Sequence, residues 1–117
     1  MTRPLSGIYK ITNTKNNKVY VGQSQNVYER ESEHFLALRR GRHPNKLMQK
    51  DWNKDNHGFR FDVIEFVPLK DLNEREKYWI DKLGTMEPHG YNQDWVPYKR
   101  KELKKPAYKQ KHYRRTR

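Results

Sequence analysis

Cysteine is missing from all 117 residues of this chain. Its absence rules out disulfide staples and every thiolate-bound zinc site, and with them zinc ribbons, RING domains and deaminase-type zinc centres. Long apolar runs are missing too. Hydrophobic residues make up 32% of the sequence against 34% charged, and no stretch is long enough to span a bilayer. Met1 to Leu5 lacks the apolar core of a secretory signal, so the expectation is a cytoplasmic chain with no membrane partner. No internal repeat is visible. A chain this short is expected to form one domain, with a modest core assembled from a few aromatic-rich elements.

Negative charge is scarce and its scarcity is local. The formal net charge is +12, yet from Lys99 onward ten Lys or Arg face one acid, Glu102, leaving 16 basic and 13 acidic residues for the rest. This divides the chain into a domain over 1–97 and a basic segment over 98–117. Tyr98, Tyr108 and Tyr113 interleave with the cations, a composition suited to phosphate contact with some base stacking. Runs of like charge are also commonly solvated extensions with no partner. Counterion release favours nucleic acid, while RNA, DNA and an acidic membrane are all electrostatically compatible.

What is present near the start is a pair of short β-patterned runs, Gly7-Ile8-Tyr9 and Val19-Tyr20-Val21-Gly22, separated by the polar stretch 12–18. The pattern predicts an antiparallel hairpin of residues 8–12 and 18–21 that brings the phenols of Tyr9 and Tyr20 near one another. Asn26 as a cap predicts a helix over 27–40, with Glu29 in the capping-box position and Gly41 as the stop. A shorter helix is expected over 45–55, with Leu47, Met48 and Trp52 on one face. After Asn56-His57-Gly58, residues 59–67 read as a strand with Phe59, Phe61, Val63 and Val67 on one face and Ile64 and Phe66 on the other. Asp71 then caps a helix over 72–83 that stops at Gly84. The order β-β-α-α-β-α describes an α+β fold, a small three-stranded antiparallel sheet flanked by helices.

Glu76 falls on the apolar stripe that Leu72, Trp79, Ile80 and Leu83 form along the last helix. A carboxylate among apolar neighbours costs on the order of several kcal/mol if left unpaired, so it calls for a cation, a metal or a proton. A structural ion pair to an arginine satisfies that need as well as a metal does. Arg30 and His34 sit four apart and share one helical face, an arrangement that by itself is usually a surface arginine beside an ordinary histidine. Glu31 falls near the core side with Val27, Phe35 and Leu38 and is a candidate partner for Arg30.

Taken together, Gly7-Ile8-Tyr9, Tyr20-Val21-Gly22, Arg30, His34, His43, Glu76 and Gly90-Tyr91-Asn92 resemble, in order and spacing, the GIY-YIG nuclease family, specifically its phage- and intron-type homing endonuclease branch. The likeness runs from Ser6 to Gln93. Valine replaces the isoleucine of the second motif, a swap between β-branched residues. The resemblance implies a DNA endonuclease using Mg²⁺ (or Mn²⁺) on Glu76, with Arg30 on the scissile phosphate, Tyr9 as the group that activates water, Tyr20 beside it, His34 in a supporting acid–base role, and His43 and Asn92 as further site residues. A free phenol titrates near 10, so Arg30, the metal and an acceptor such as His34 are expected to favour the phenolate or to carry its proton onward. The host would be a bacterial or phage-infected cell. The chain is expected to be a monomer in solution, with transient pairing on DNA as a route to a second cut. Lys10, Lys18, Lys99, Arg100, Lys101, Lys104 and Lys105 are the candidate backbone contacts, though exposed strand lysines need no such role. Two further readings remain: a non-catalytic DNA-binding module derived from a nuclease, and a ββα-metal nuclease built around Asp55-Asn56-His57.

Overall fold

The computed structural model describes residues 5–98. Strand β1 (Gly7–Asn13) pairs antiparallel with β2 (Lys18–Ser24), followed by helix α1 (Val27–Arg39), helix α2 (Lys46–Lys54), strand β3 (Phe59–Phe66), a 3₁₀ turn at Leu69–Asp71 and helix α3 (Leu72–Leu83). The element order and fold class expected from the sequence are the ones observed. β1 is central and both neighbours run antiparallel to it, giving the sheet order β2-β1-β3. The hairpin closes through Asn17 at φ 66, a left-handed conformation that asparagine tolerates better than most residues.

Alternation along β1 sends successive side chains to opposite faces and so builds two cores. On one face Tyr9 and Ile11 pack with Val27 and Leu38 of α1, Met48 of α2 and Tyr91. On the other Ile8 and Val21 pack with Leu72 and Ile80 of α3 and with Val67. The sheet is thus the middle of three layers. Each fully buried aliphatic side chain contributes roughly 1.5–3 kcal/mol of transfer free energy.

Two details differ from the sequence pattern. The β1–β3 register slips between Ile8 and Tyr9, which face Glu65 and Val63 respectively, leaving Ile64 as an extra residue. The bulge resets the alternation: Ile64 joins the α3-side cluster, Val67 joins it too rather than lying with Phe59 and Phe61, and Phe66 turns out to meet Tyr28 of α1. Leu83, expected on the apolar stripe, is 41% exposed because it is the last residue of α3. Asn26 caps α1 as expected, its side chain accepting from the N–H groups of Tyr28 and Glu29. Asp71 occupies the cap position of α3 without a side-chain capping bond.

Candidate active site

The buried stripe of α1 reads Val27, Arg30, His34, Leu38, so the spacing that anchors the helix also carries a guanidinium and an imidazole into the interior. They meet the two tyrosines there. Tyr9 and Tyr20 lie on the same sheet face with ring centroids 6.4 Å apart. Tyr9 Oη is 2.6 Å from His34 Nε2, and the His34 ring also meets Tyr20 edge-on at 5.6 Å. His34 Nδ1 is in turn 2.7 Å from Nε2 of His43, in the loop between α1 and α2, and the two imidazoles stack.

Burial sets the electrostatics of this cluster. Tyr9 is fully buried, and desolvation followed by the neighbouring Tyr20 pushes its phenol well above the ordinary value, while Arg30 beside it pulls the other way. Desolvation lowers His34 well below the usual imidazole range, reinforced by His43 and Arg30, and holds His43 down at about 4. Arg30 is 5% exposed. Its Nε pairs with Glu33 at 2.9 Å, not with Glu31, because a residue three positions on shares the helical face and the next residue does not. Nη1 of Arg30 is buried with no hydrogen-bond partner among the described residues.

The opposite side of the edge strand β2 supplies the carboxylate. Glu76 lies on the buried stripe Leu72, Glu76, Ile80 of α3 and is 2% exposed. Its Oε1 accepts from Gln23 Nε2 at 2.8 Å, and the same amide nitrogen reaches Asn73. A cleft of about 290 Å³ passes along this edge, lined by Tyr20, His43, Glu76, Asn92 and Asp94 among others. Tyr20 therefore belongs both to the aromatic cluster and to the cleft that holds the acid. Asn92 braces the strand: its Oδ1 accepts from Val21 N and Thr85 Oγ1, and its Nδ2 donates to the Val21 carbonyl. These bonds occupy the outward peptide groups of β2 between Tyr20 and Gly22.

Residues 5–92 match the family model of the GIY-YIG catalytic domain. The chain belongs to the GIY-YIG family. It is 43% identical over 89 residues to Intron-associated endonuclease 1 of Enterobacteria phage T4; the match covers 74% of this chain and 36% of that relative, so the chain spans about a third of its length. The solved catalytic domain of homing endonuclease I-TevI is 37% identical and superposes with a TM-score of 0.71 over 76% of this chain and 98% of that one. A mutant of the I-TevI catalytic domain superposes equally well, at 39% identity, 78% of this chain and 95% of the other.

The GIY-YIG domain brings together Tyr9, Tyr20, Arg30, His34 and His43, and sets Glu76 and Asn92 along the adjoining cleft. It does not bring Lys10 or Lys18 there: Lys10 alternates to the sheet face opposite Tyr9, and Lys18 opens β2 at the hairpin end. Lys99, Arg100, Lys101, Lys104, Lys105, Tyr108 and Tyr113 lie outside the described residues. His57 is exposed, pairs with Asp55 and precedes a strand, which removes the ββα-metal reading. Sequence reasoning missed Gln23 and Asn45. Asn45, the cap of α2, donates its backbone N–H to His43 Nδ1 and its side-chain amide to the Tyr91 carbonyl; neither residue sits in a motif that would have announced it.

Among the described residues no group of three or more His, Asp or Glu gathers as a metal cage. One buried carboxylate lining an open cleft is the donor set expected of an ion that keeps most of its water, and it suits Mg²⁺ or Mn²⁺ better than an ion needing several protein ligands.

Proposed function

We propose that this domain hydrolyses phosphodiester bonds of DNA at the Tyr9–Arg30–Glu76 site. The observation that carries the reading is the buried guanidinium of Arg30, which lies close enough to Tyr9 to pull the titration of its phenol down and whose Nη1 has no hydrogen-bond partner among the described residues. A buried cation so placed is completed by an anion with several acceptor oxygens, and a planar guanidinium matches a phosphate. Glu76 would hold the divalent ion, which supplies charge neutralisation at the departing oxygen when bound. Arg30 holds the phosphate, Glu33 aims its fork through Nε, and Tyr9 orients and accepts a hydrogen bond from the attacking water. Tyr20 lines the approach. Asn92 keeps the edge of β2 straight next to Tyr20. The basic residues of 98–117 add sequence-tolerant affinity for the backbone.

Supercoiled plasmid incubated with the protein and Mg²⁺ tests the reading. Nicked or linear product is expected from the wild type, and none from Glu76→Ala, which should still retard DNA. Intact plasmid in the presence of bound wild-type protein, or equal cleavage by the variant, refutes it and leaves a binding module.

A further inference from the structure

The hydrogen-bond chain that starts at Tyr9 ends on a backbone amide, and an amide N–H can only donate. The Asn45 N–H points at His43 Nδ1 across 2.9 Å, so this nitrogen presents its lone pair. With its titration held at about 4, the His43 ring carries one proton near neutrality, and that proton must sit on Nε2. His43 Nε2 faces His34 Nδ1 at 2.7 Å, so His34 Nδ1 accepts. Neutral His34 then carries its own proton on Nε2, 2.6 Å from Tyr9 Oη. All three bonds run one way, from amide to His43 to His34 to Tyr9.

We propose that His34 is a hydrogen-bond donor to the Tyr9 oxygen and not the acceptor of its proton, and that His43 and the Asn45 backbone are positioning groups that fix this polarity. The resemblance alone had allowed His34 to act as acceptor; the terminal amide removes that option. The arrangement is held from several sides. Asn45 is locked by Oδ1 on the Met48 N–H and Nδ2 on the Tyr91 carbonyl. The His43 backbone N–H is held by Gln49 Oε1 at 2.9 Å, and the amide of Gln49 bonds the Leu38 carbonyl at the end of α1. The groups facing His34 are Tyr9 from β1, Tyr20 from β2, Arg30 from its own helix and His43 from the loop. None of them offers a carboxylate that would draw a second proton onto the ring.

Functionally, Tyr9 Oη sits between an imidazole N–H and the Arg30 guanidinium. Both interactions strengthen as negative charge develops on that oxygen, which offsets part of the burial cost of a phenolate. The structural claim stands on the free protein, whereas its consequence for cleavage rests on the function proposed above.

Two experiments separate these. Two-bond ¹H–¹⁵N spectra of the ¹⁵N-labelled protein at neutral pH should show both His34 and His43 in the Nε2–H form. An Nδ1–H form or an imidazolium at either ring overturns the proposal, whether or not the protein cuts DNA. In plasmid cleavage, His34→Gln retains an N–H donor but no titrating group, and His34→Leu has similar volume and no donor. The glutamine variant is expected to be at least about tenfold more active than the leucine variant, at the low end of what a positioned donor supplies. Equal activities, with both folded by circular dichroism, overturn the donor role.

Discussion

Gly22 stands opposite Tyr9 across the β1–β2 ladder, and the phenol of Tyr9 fills the space that a side chain at position 22 would occupy. A Cβ built there would overlap the hydroxyl oxygen of Tyr9 and lie 2.5 Å from its Cζ. The glycine of the second motif is therefore a packing requirement of the tyrosine of the first.

Gly22→Ala is accordingly expected to push the Tyr9 ring away from His34. The strand conformation itself accepts alanine, so the cost comes from overpacking, about 1–3 kcal/mol. Displacement by about 1 Å should lower cleavage by roughly 100-fold. Thermal melting together with plasmid nicking measures both, and a variant that cuts at the wild-type rate contradicts the claimed contact.

Much of this architecture was legible in the chain. The hairpin, the three helices and the β3 strand follow from alternation, caps and stop signals, because each is decided by neighbours within a few residues. The bulge at Ile64 was not, since it answers to the pairing of β3 with β1 and leaves the local pattern of strand residues unbroken. Glu76 was visible as a polar residue on a stripe that should be apolar, whereas Arg30 and His34 by spacing alone read as a surface pair, with Glu31 on the core side of their helix, and the structure buries them instead of Glu31. The partners of all three were not legible. Glu33 is chosen by helix geometry, Gln23 comes from β2, more than fifty residues before Glu76 in the chain, and the amide of Asn45 is a backbone group that no side-chain pattern can announce.

Gln23 is the residue through which the carboxylate should be tuned. Its amide donates to Glu76 Oε1 and is itself anchored on Asn73 Oδ1, both at 2.8 Å. Gln23→Leu keeps most of the volume and removes that donor, leaving Glu76 less fixed in direction. Loss of an outer partner of a metal-binding side chain typically weakens metal affinity about 10–100-fold. The Mg²⁺ concentration for half-maximal cleavage should rise by about that factor while the rate at saturating Mg²⁺ changes less. A Mg²⁺ requirement identical to the wild type would remove Gln23 from the site.

Stability should fall on mild acidification because of the buried histidines. His43 is depressed from 6.5 to about 4 in the fold, and His34 moves in the same direction. The unfolded chain therefore binds protons between about pH 6.5 and 4 that the folded chain refuses. The stabilisation is complete above about pH 6.5 and declines as pH falls below it, the share of His43 levelling off near 4. His43 alone costs up to about 1.4 kcal/mol per pH unit between those two values, and His34 adds to the loss in the same direction. Urea unfolding at pH 7.5, 6 and 5 measures the slope, which His43→Gln should reduce. A flat profile would show that both rings accept protons in the folded state.

The final prediction concerns the segment from Lys99 onward, where ten of the 26 basic residues are gathered. If those cations reach DNA phosphates, each contact releases condensed counterions, and the logarithm of the binding constant falls with the logarithm of salt by about 0.9 per contact on duplex DNA. Deleting residues 99–117 should then weaken binding at low salt and flatten the salt dependence together. Cleavage at saturating protein should persist, because every group of the Tyr9–Arg30–Glu76 site lies before residue 99. A deletion that weakened binding with an unchanged salt slope would mean that the segment acts without touching phosphate. A deletion that left both unchanged would assign DNA affinity to the cleft and sheet edge alone.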